Sequence, residues 1–179
     1  MARGLAPLQV VLCTRGGLAG AAVLDRLLAS PELRVTGIVL STRTHGPRRG
    51  LVAGTLRHLS RSGLAYSAYL WACTTGGDLA ASASSRGSVR SRARREAIAL
   101  LATRRVNDPD SHAFIAGCAP SLLVTAFFDQ RVDAATRALA PLGGMNIHPS
   151  ALPDLRGVDP VFQAMLRGRP LGVTVHRLV

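Results

Sequence analysis

The sequence predicts an α/β domain built on a Rossmann-like, open, mostly parallel sheet flanked by helices. Three observations carry that prediction. Residues 8–14 and 121–127 are short, mostly apolar runs, the pattern of strands buried on both faces, and residues 34–41 read as another strand. Segments with helical spacing or helix-start signals lie between them. Residues 8–41 order themselves as strand, glycine turn, helix and strand, which is a βαβ unit. A length of 179 residues suits one domain with a proper core.

Taken in order, the first strand over residues 8–14 runs into Arg15-Gly16-Gly17, which turns the chain. Apolar residues then recur at helical spacing over residues 18–29, until Ser30-Pro31 stops the helix. The second strand covers residues 34–41. Gly16, Gly17 and Gly20 do not fit the dinucleotide fingerprint, and no acidic residue ends the second strand. Arg43 there keeps an NADP-binding alternative open, through a 2′-phosphate. The glycine turn itself has two readings: backbone N–H groups facing an anionic substrate group, or a turn that needs Gly for its shape. A helix is expected over residues 50–61, and residues 66–71 form an apolar piece whose aromatics read as core. Residues 73–91, rich in Ser, Gly and Thr, read as an irregular loop. Arg86, Arg90, Arg92, Arg94, Arg95, Arg104 and Arg105 flank a helix of about three turns, with Glu96 the one acid among them. Asp108 and Pro109 are an N-cap and N1 pair opening a short helix that ends at Gly117. After the strand over 121–127 come a short helix over about 133–139 and a punctuating Pro141. The stretch 143–160 begins as a strand, becomes a loop stiffened by Pro149 and Pro153, and leads to a helix over 159–167 with Asp159 as N-cap. Gly168 ends that helix, and residues 171–179 alternate as a last strand.

Net charge is +12 and the isoelectric point about 11.6, which raises a nucleic-acid partner. All 22 basic residues are Arg and none is Lys, a bias that runs over the whole chain beside abundant Ala, Gly and Leu. Charge alone therefore does not specify a polyanionic partner, and the Arg86 to Arg105 segment reads first as the solvent face of one amphipathic helix, with a patch for a phosphorylated substrate or tRNA as the alternative. No apolar run is long enough to span a bilayer, and the N-terminus lacks the pattern of a signal peptide. Cys13, Cys73 and Cys118 are odd in number and widely spaced, without metal or disulfide spacing, so a reducing cytoplasm and no metal are expected.

The chemistry concentrates in the 143–160 stretch. Asn146 and His148 stand two apart on a strand and so share a face. An Asn amide can stabilise an oxyanion and a His can shuttle a proton near neutral pH, a pairing suited to acyl transfer. By itself the pair is also compatible with a structural role.

Asn146-Ile-His148-Pro-Ser150-Ala-Leu-Pro153, followed by Arg156-Gly157 and Pro160, resembles the signature of the folate-dependent formyltransferases, the group acting on methionyl-tRNA, glycinamide ribonucleotide and amino sugars. The order of the preceding elements is similar too, most closely from Val106 onward. The resemblance implies the Rossmann-like formyltransferase fold, 10-formyltetrahydrofolate as formyl donor, an amine as acceptor and no metal. It implies that Asn146 holds the formyl oxygen and that His148 assists proton transfer between the amine and the leaving folate nitrogen. Ser150, Ala151 (where Leu is usual), Leu152 and Pro153 would border the folate. Gly16 and Gly17, with Arg156 and Gly157, would lie on the acceptor side. It further implies a third catalytic residue, an Asp on the loop after the last strand, for which no residue up to Val179 is a match. Asp154 and Asp159 fall inside the motif and do not replace it. The expectation is thus a single catalytic domain over residues 1–179 without its C-terminal end, and without the domain by which the tRNA enzymes hold tRNA. A remnant that binds folate or substrate without turnover, and a basic RNA-binding protein, are the alternatives.

Overall fold

The computed structural model describes residues 6–43, 64, 87–157 and 160–179. Six strands form one sheet in the order β3-β2-β1-β4-β5-β6. They are β1 (Leu8–Thr14), β2 (Leu33–Ser41), β3 (Ala99–Thr103), β4 (Leu122–Ala126), β5 (Gly144–His148) and β6 (Thr174–Arg177). All neighbours run parallel except β5 and β6, which are antiparallel. The described helices are α1 (Gly17–Leu28), α2 (Val89–Arg95), α3 (Pro109–Gly117), α4 (Ala134–Arg137) and α5 (Pro160–Leu166). The α/β class and the mostly parallel sheet are those the apolar runs predict.

β1 is central, and its Val10, Val11, Leu12 and Cys13 are fully buried. A strand covered on both faces has no polar side to present, which is why these four residues form an unbroken apolar run. Its alternate residues feed two cores. Val10 and Leu12 join Leu24, Ile38, Val124 and Ala126 on the face covered by α1 and α2. Val11 and Cys13 join Val39, Val106, Ile115 and Leu123 on the face covered by α3. Arg92 of α2 pairs with Asp25 of α1, tying the two helices of the first face together. Asp108 caps α3, its carboxylate accepting the Ser111 N–H at 2.9 Å with Pro109 in the first turn, and Asp133 caps α4 by accepting the Thr136 N–H at 2.8 Å.

The basic segment departs from expectation. The helix is shorter, seven residues over Val89–Arg95, and the chain then turns through Ala97 (φ 51°) into β3. Ala99-Leu-Leu-Ala-Thr103 is rich in helix formers, but the exposed edge of β2 templates it as a parallel strand, and this tertiary pairing overrides propensity. The loop expected over 73–91 correspondingly ends earlier, because Ser88 caps α2 by accepting the Ser91 N–H at 3.2 Å. The expected helix over 50–61, the aromatic piece over 66–71, Cys73, Arg86 and the Asp159 cap lie outside the described residues.

Candidate active site

In an open parallel sheet the site-forming crevice lies at the carboxyl ends of the strands, where the strand order reverses. Here the reversal falls between β1 and β4. A backbone hydrogen bond from Arg15 N–H to the Phe127 carbonyl, 3.0 Å, joins the carboxyl ends of these two strands. Phe127 takes a left-handed conformation there (φ 49°), an unfavourable geometry for a bulky residue and one that recurs at functional sites.

The turn leaving β1 supplies Gly16 and Gly17 at φ 94° and 69°, conformations that favour glycine. Gly16 donates its N–H to Thr14 Oγ1 at 3.2 Å. The shape of the turn thus requires glycine, and the N-terminus of α1, at the carboxyl end of β1, has no side-chain cap. β4 separates β1 from β5, so at a strand spacing of about 5 Å the glycine turn and the Asn146 strand stand about 10 Å apart.

Asn146 and His148 occupy the carboxyl half of β5 and share its face. The register places Thr125 of β4 and His176 of β6 on either side of Asn146, and Thr174 opposite His148. Thr125 Oγ1 donates to Asn146 Oδ1 at 2.7 Å. Asn146 Nδ2 lies 3.1 Å from His176 Nε2. His148 Nε2 lies 2.9 Å from the Leu155 carbonyl. A carbonyl can only accept, so Nε2 carries the proton, and Nδ1 is the nitrogen of a neutral ring that can take one up.

The loop after β5 is held from within. Ser150 is buried; its hydroxyl donates to the Leu155 carbonyl at 2.9 Å, and its own carbonyl accepts from Thr174 Oγ1 at 2.7 Å. The Leu152 N–H donates to the same Thr174 hydroxyl at 3.0 Å, and the Leu152–Pro153 bond is cis. Ala151 and Pro153 are exposed and Leu152 half-buried, while Arg156 and Gly157 (φ 106°) are exposed at the loop's far end. The sequence-predicted residues thus divide into the Asn146–His148 pair with its contiguous loop on β5, and the glycine turn two strands away.

Thr125, Thr174 and His176 were not singled out from sequence. Thr125 carries a weak signal, as a polar residue inside an otherwise apolar strand. His176 becomes visible only once β6 is known to lie antiparallel against β5.

Two hollows flank this arrangement. One of about 390 Å³, lined by Ala19, Val23, Leu27, Phe127 and Ile147, is apolar and lies on the opposite sheet face from Asn146. The other, about 530 Å³, gathers Arg43, Arg104, Arg105 and Arg131 around Gln130 at the carboxyl ends of β2 and β3. Gln130 braces it, donating to Ser41 Oγ at 2.9 Å and accepting the Val106 N–H at 2.8 Å. Burial pushes the Cys13 thiol up to about 12 and raises that of Cys118, so neither is an activated nucleophile. Among the described residues no group of three or more His, Cys, Asp or Glu side chains could hold a metal ion.

Residues 75–179 match the family model described as Formyl transferase. A methionyl-tRNA formyltransferase from Geobacillus thermodenitrificans is 33% identical over 88 residues, a match spanning 49% of this chain and 28% of that relative. Among solved structures, a phosphoribosylglycinamide formyltransferase from Coxiella burnetii superposes with a TM-score of 0.57 at 18% identity, covering 97% of this chain and 66% of that one. A formyltetrahydrofolate deformylase from Pseudomonas syringae does so with a TM-score of 0.57 at 17% identity, over 98% of this chain and 47% of that one. These two likenesses establish the fold.

Proposed function

Because the chain belongs to the formyl transferase family, whose model spans residues 75–179, we propose that it moves a formyl group from 10-formyltetrahydrofolate to an amine. The observation that carries this reading is Asn146 and His148 on one face at the carboxyl end of β5, each already oriented by hydrogen bonds. In the proposed reaction the amine nitrogen attacks the formyl carbon, and the carbonyl electrons move onto oxygen. Asn146 Nδ2 donates a hydrogen bond to that oxyanion, a donor whose strength counts most where charge develops. His148 Nδ1 takes the proton the amine sheds and returns it to N10 of the folate as the carbon–N10 bond breaks. Tetrahydrofolate and the formylated amine are the products, with no net proton or electron gained or lost.

Ala151, Leu152 and Pro153 are assigned to the donor's border, with Ser150 holding the loop that presents them. Gly16 and Gly17 are assigned to the acceptor, whose anionic group would meet the N-terminus of α1, and Arg156 and Gly157 to the same side. The relatives named for methionyl-tRNA and glycinamide ribonucleotide suggest the first acceptors to try. A cytoplasmic setting belongs to the same proposal and is in keeping with the free thiols Cys13 and Cys118.

The test is to incubate the purified chain with 10-formyltetrahydrofolate and, separately, methionyl-tRNA, glycinamide ribonucleotide and an amino-sugar nucleotide. Mass spectrometry of the acceptors should reveal a formylated amine in one of them. Formylation of none, with the folate bound but unconsumed, would instead support a binding protein without turnover. RNA binding that weakens steeply with salt, and no folate binding, would favour the basic-patch alternative.

A further inference from the structure

We infer that His176 is a positioning residue: it holds the amide of Asn146 so that one N–H is aimed at the reacting oxygen. The inference rests on the formyl-transfer reading for its functional half and on geometry alone for its structural half. In the antiparallel pairing of β5 with β6, Asn146 and His176 are direct partners and stand on the same face. Asn146 Nδ2 and His176 Nε2 are 3.1 Å apart. An amide nitrogen carries hydrogens and no usable lone pair, so with Nδ2 on this side the ring nitrogen must accept.

The other ring nitrogen decides which way the amide faces. His176 Nδ1 lies 2.9 Å from the Arg177 carbonyl oxygen, which can only accept. Nδ1 therefore holds the proton, and in a neutral ring Nε2 is left with its lone pair toward Asn146. A reversed amide would set Oδ1 against that lone pair, acceptor against acceptor. On the far side, Thr125 is buried and its hydroxyl donates to Asn146 Oδ1 at 2.7 Å, in agreement with the same orientation. Two contacts thus fix the amide plane from opposite neighbouring strands. One Nδ2 hydrogen goes to His176, and the second meets no acceptor among the described residues. That second N–H is the one that would reach the oxyanion, with little reorganisation left to do as charge develops.

The arrangement separates His176 from a residue that merely fills space. Leucine in its place keeps an apolar contact but leaves the amide free to rotate. Glutamine can place an amide oxygen near the position of Nε2 and accept the same hydrogen bond. The expected result is that His176→Leu lowers kcat by about tenfold or more with KM within about twofold, and that His176→Gln recovers kcat to within about threefold of wild type. Equal rates for His176→Leu and wild type would overturn the inference, as would equal losses for Leu and Gln.

A second measurement does not depend on catalysis. Nitrogen-15 spectra of the histidine rings should report His176 as the Nδ1–H tautomer, and His176→Leu should shift the Asn146 side-chain amide signal. An Nε2–H tautomer, or an unmoved Asn146 signal, overturns the positioning contact whatever the enzyme does. If the wild-type chain transfers no formyl group to any acceptor, the proposed function fails, and these spectra still decide the structural half.

Discussion

At the scale of single residues, the site is a set of hydrogen bonds with few alternatives. The Leu155 carbonyl receives both His148 Nε2 and Ser150 Oγ, at 2.9 Å each, and so anchors the catalytic ring and the loop behind it to one atom. Ser150→Ala removes one of the two donors and leaves the carbonyl satisfied by the other. The expected cost is accordingly that of one net hydrogen bond, about 0.5–1.5 kcal/mol, read as a lower urea midpoint at unchanged m. An unchanged midpoint would mean that the buried hydroxyl contributes nothing. Of these residues, Asn146 and His148 could be paired from the sequence because their spacing along one strand is local, and Ser150 was singled out through the motif's resemblance. Thr125, Thr174 and His176 were not, because their roles depend on which strands become neighbours, and no local pattern encodes that.

At the scale of elements, close approach and capping set the frame. Gly20 brings α1 against the end of β1: a Cβ there would lie 2.7 Å from Thr14 Oγ1. Gly→Ala inside a helix ordinarily stabilises by about 1 kcal/mol. At Gly20 the clash reverses the sign, because Thr14 is fully buried and its hydroxyl already accepts the Gly16 N–H. We expect Gly20→Ala to destabilise by about 1–3 kcal/mol in urea unfolding. Any stabilisation would show that the contact is readily relieved. The caps of α3 and α4 predict a pH response. Hydrogen bonds from Ser111 hold the Asp108 carboxyl below its ordinary value, and those from Thr136 do the same for Asp133. With folded pKa values depressed, their stabilisation is present above about pH 4 and is lost as pH falls through the folded values. The unfolding temperature should therefore drop between about pH 4 and pH 2, and the double variant Asp108→Asn, Asp133→Asn should flatten that drop while keeping the caps. At Asp133 the sequence marks only the start of a short helix, whereas the Asp108 cap was legible from it. β3 was not: its Ala-Leu run favours a helix by propensity, and only the open edge of β2 makes it a strand.

At the scale of the whole molecule, one sheet carries two cores on its faces and the proposed chemistry at its carboxyl edge. The fold class follows from the apolar run Val10 to Cys13 of β1, which suits a strand buried on both faces at the centre of a parallel sheet. The same topology explains why the glycine turn and the Asn146 strand come to the same carboxyl edge of the sheet although about 130 residues separate them in sequence. The high positive charge gave no comparable guidance, since the described arginines are spread over α1, α2, the Gln130 hollow, the loop after β5 and β6. The central claim is that Asn146 and His148 carry out formyl transfer at that edge. Its most direct measurement is single-turnover transfer of an isotope-labelled formyl group from 10-formyltetrahydrofolate to the acceptor amine, comparing wild type with Asn146→Ala and His148→Ala, each checked for native circular dichroism. We predict transfer by the wild type, slowed by about 10²–10³-fold without the Asn146 donor and by at least about 10²-fold without the His148 base. Transfer by either folded variant within about threefold of the wild-type rate would contradict the account.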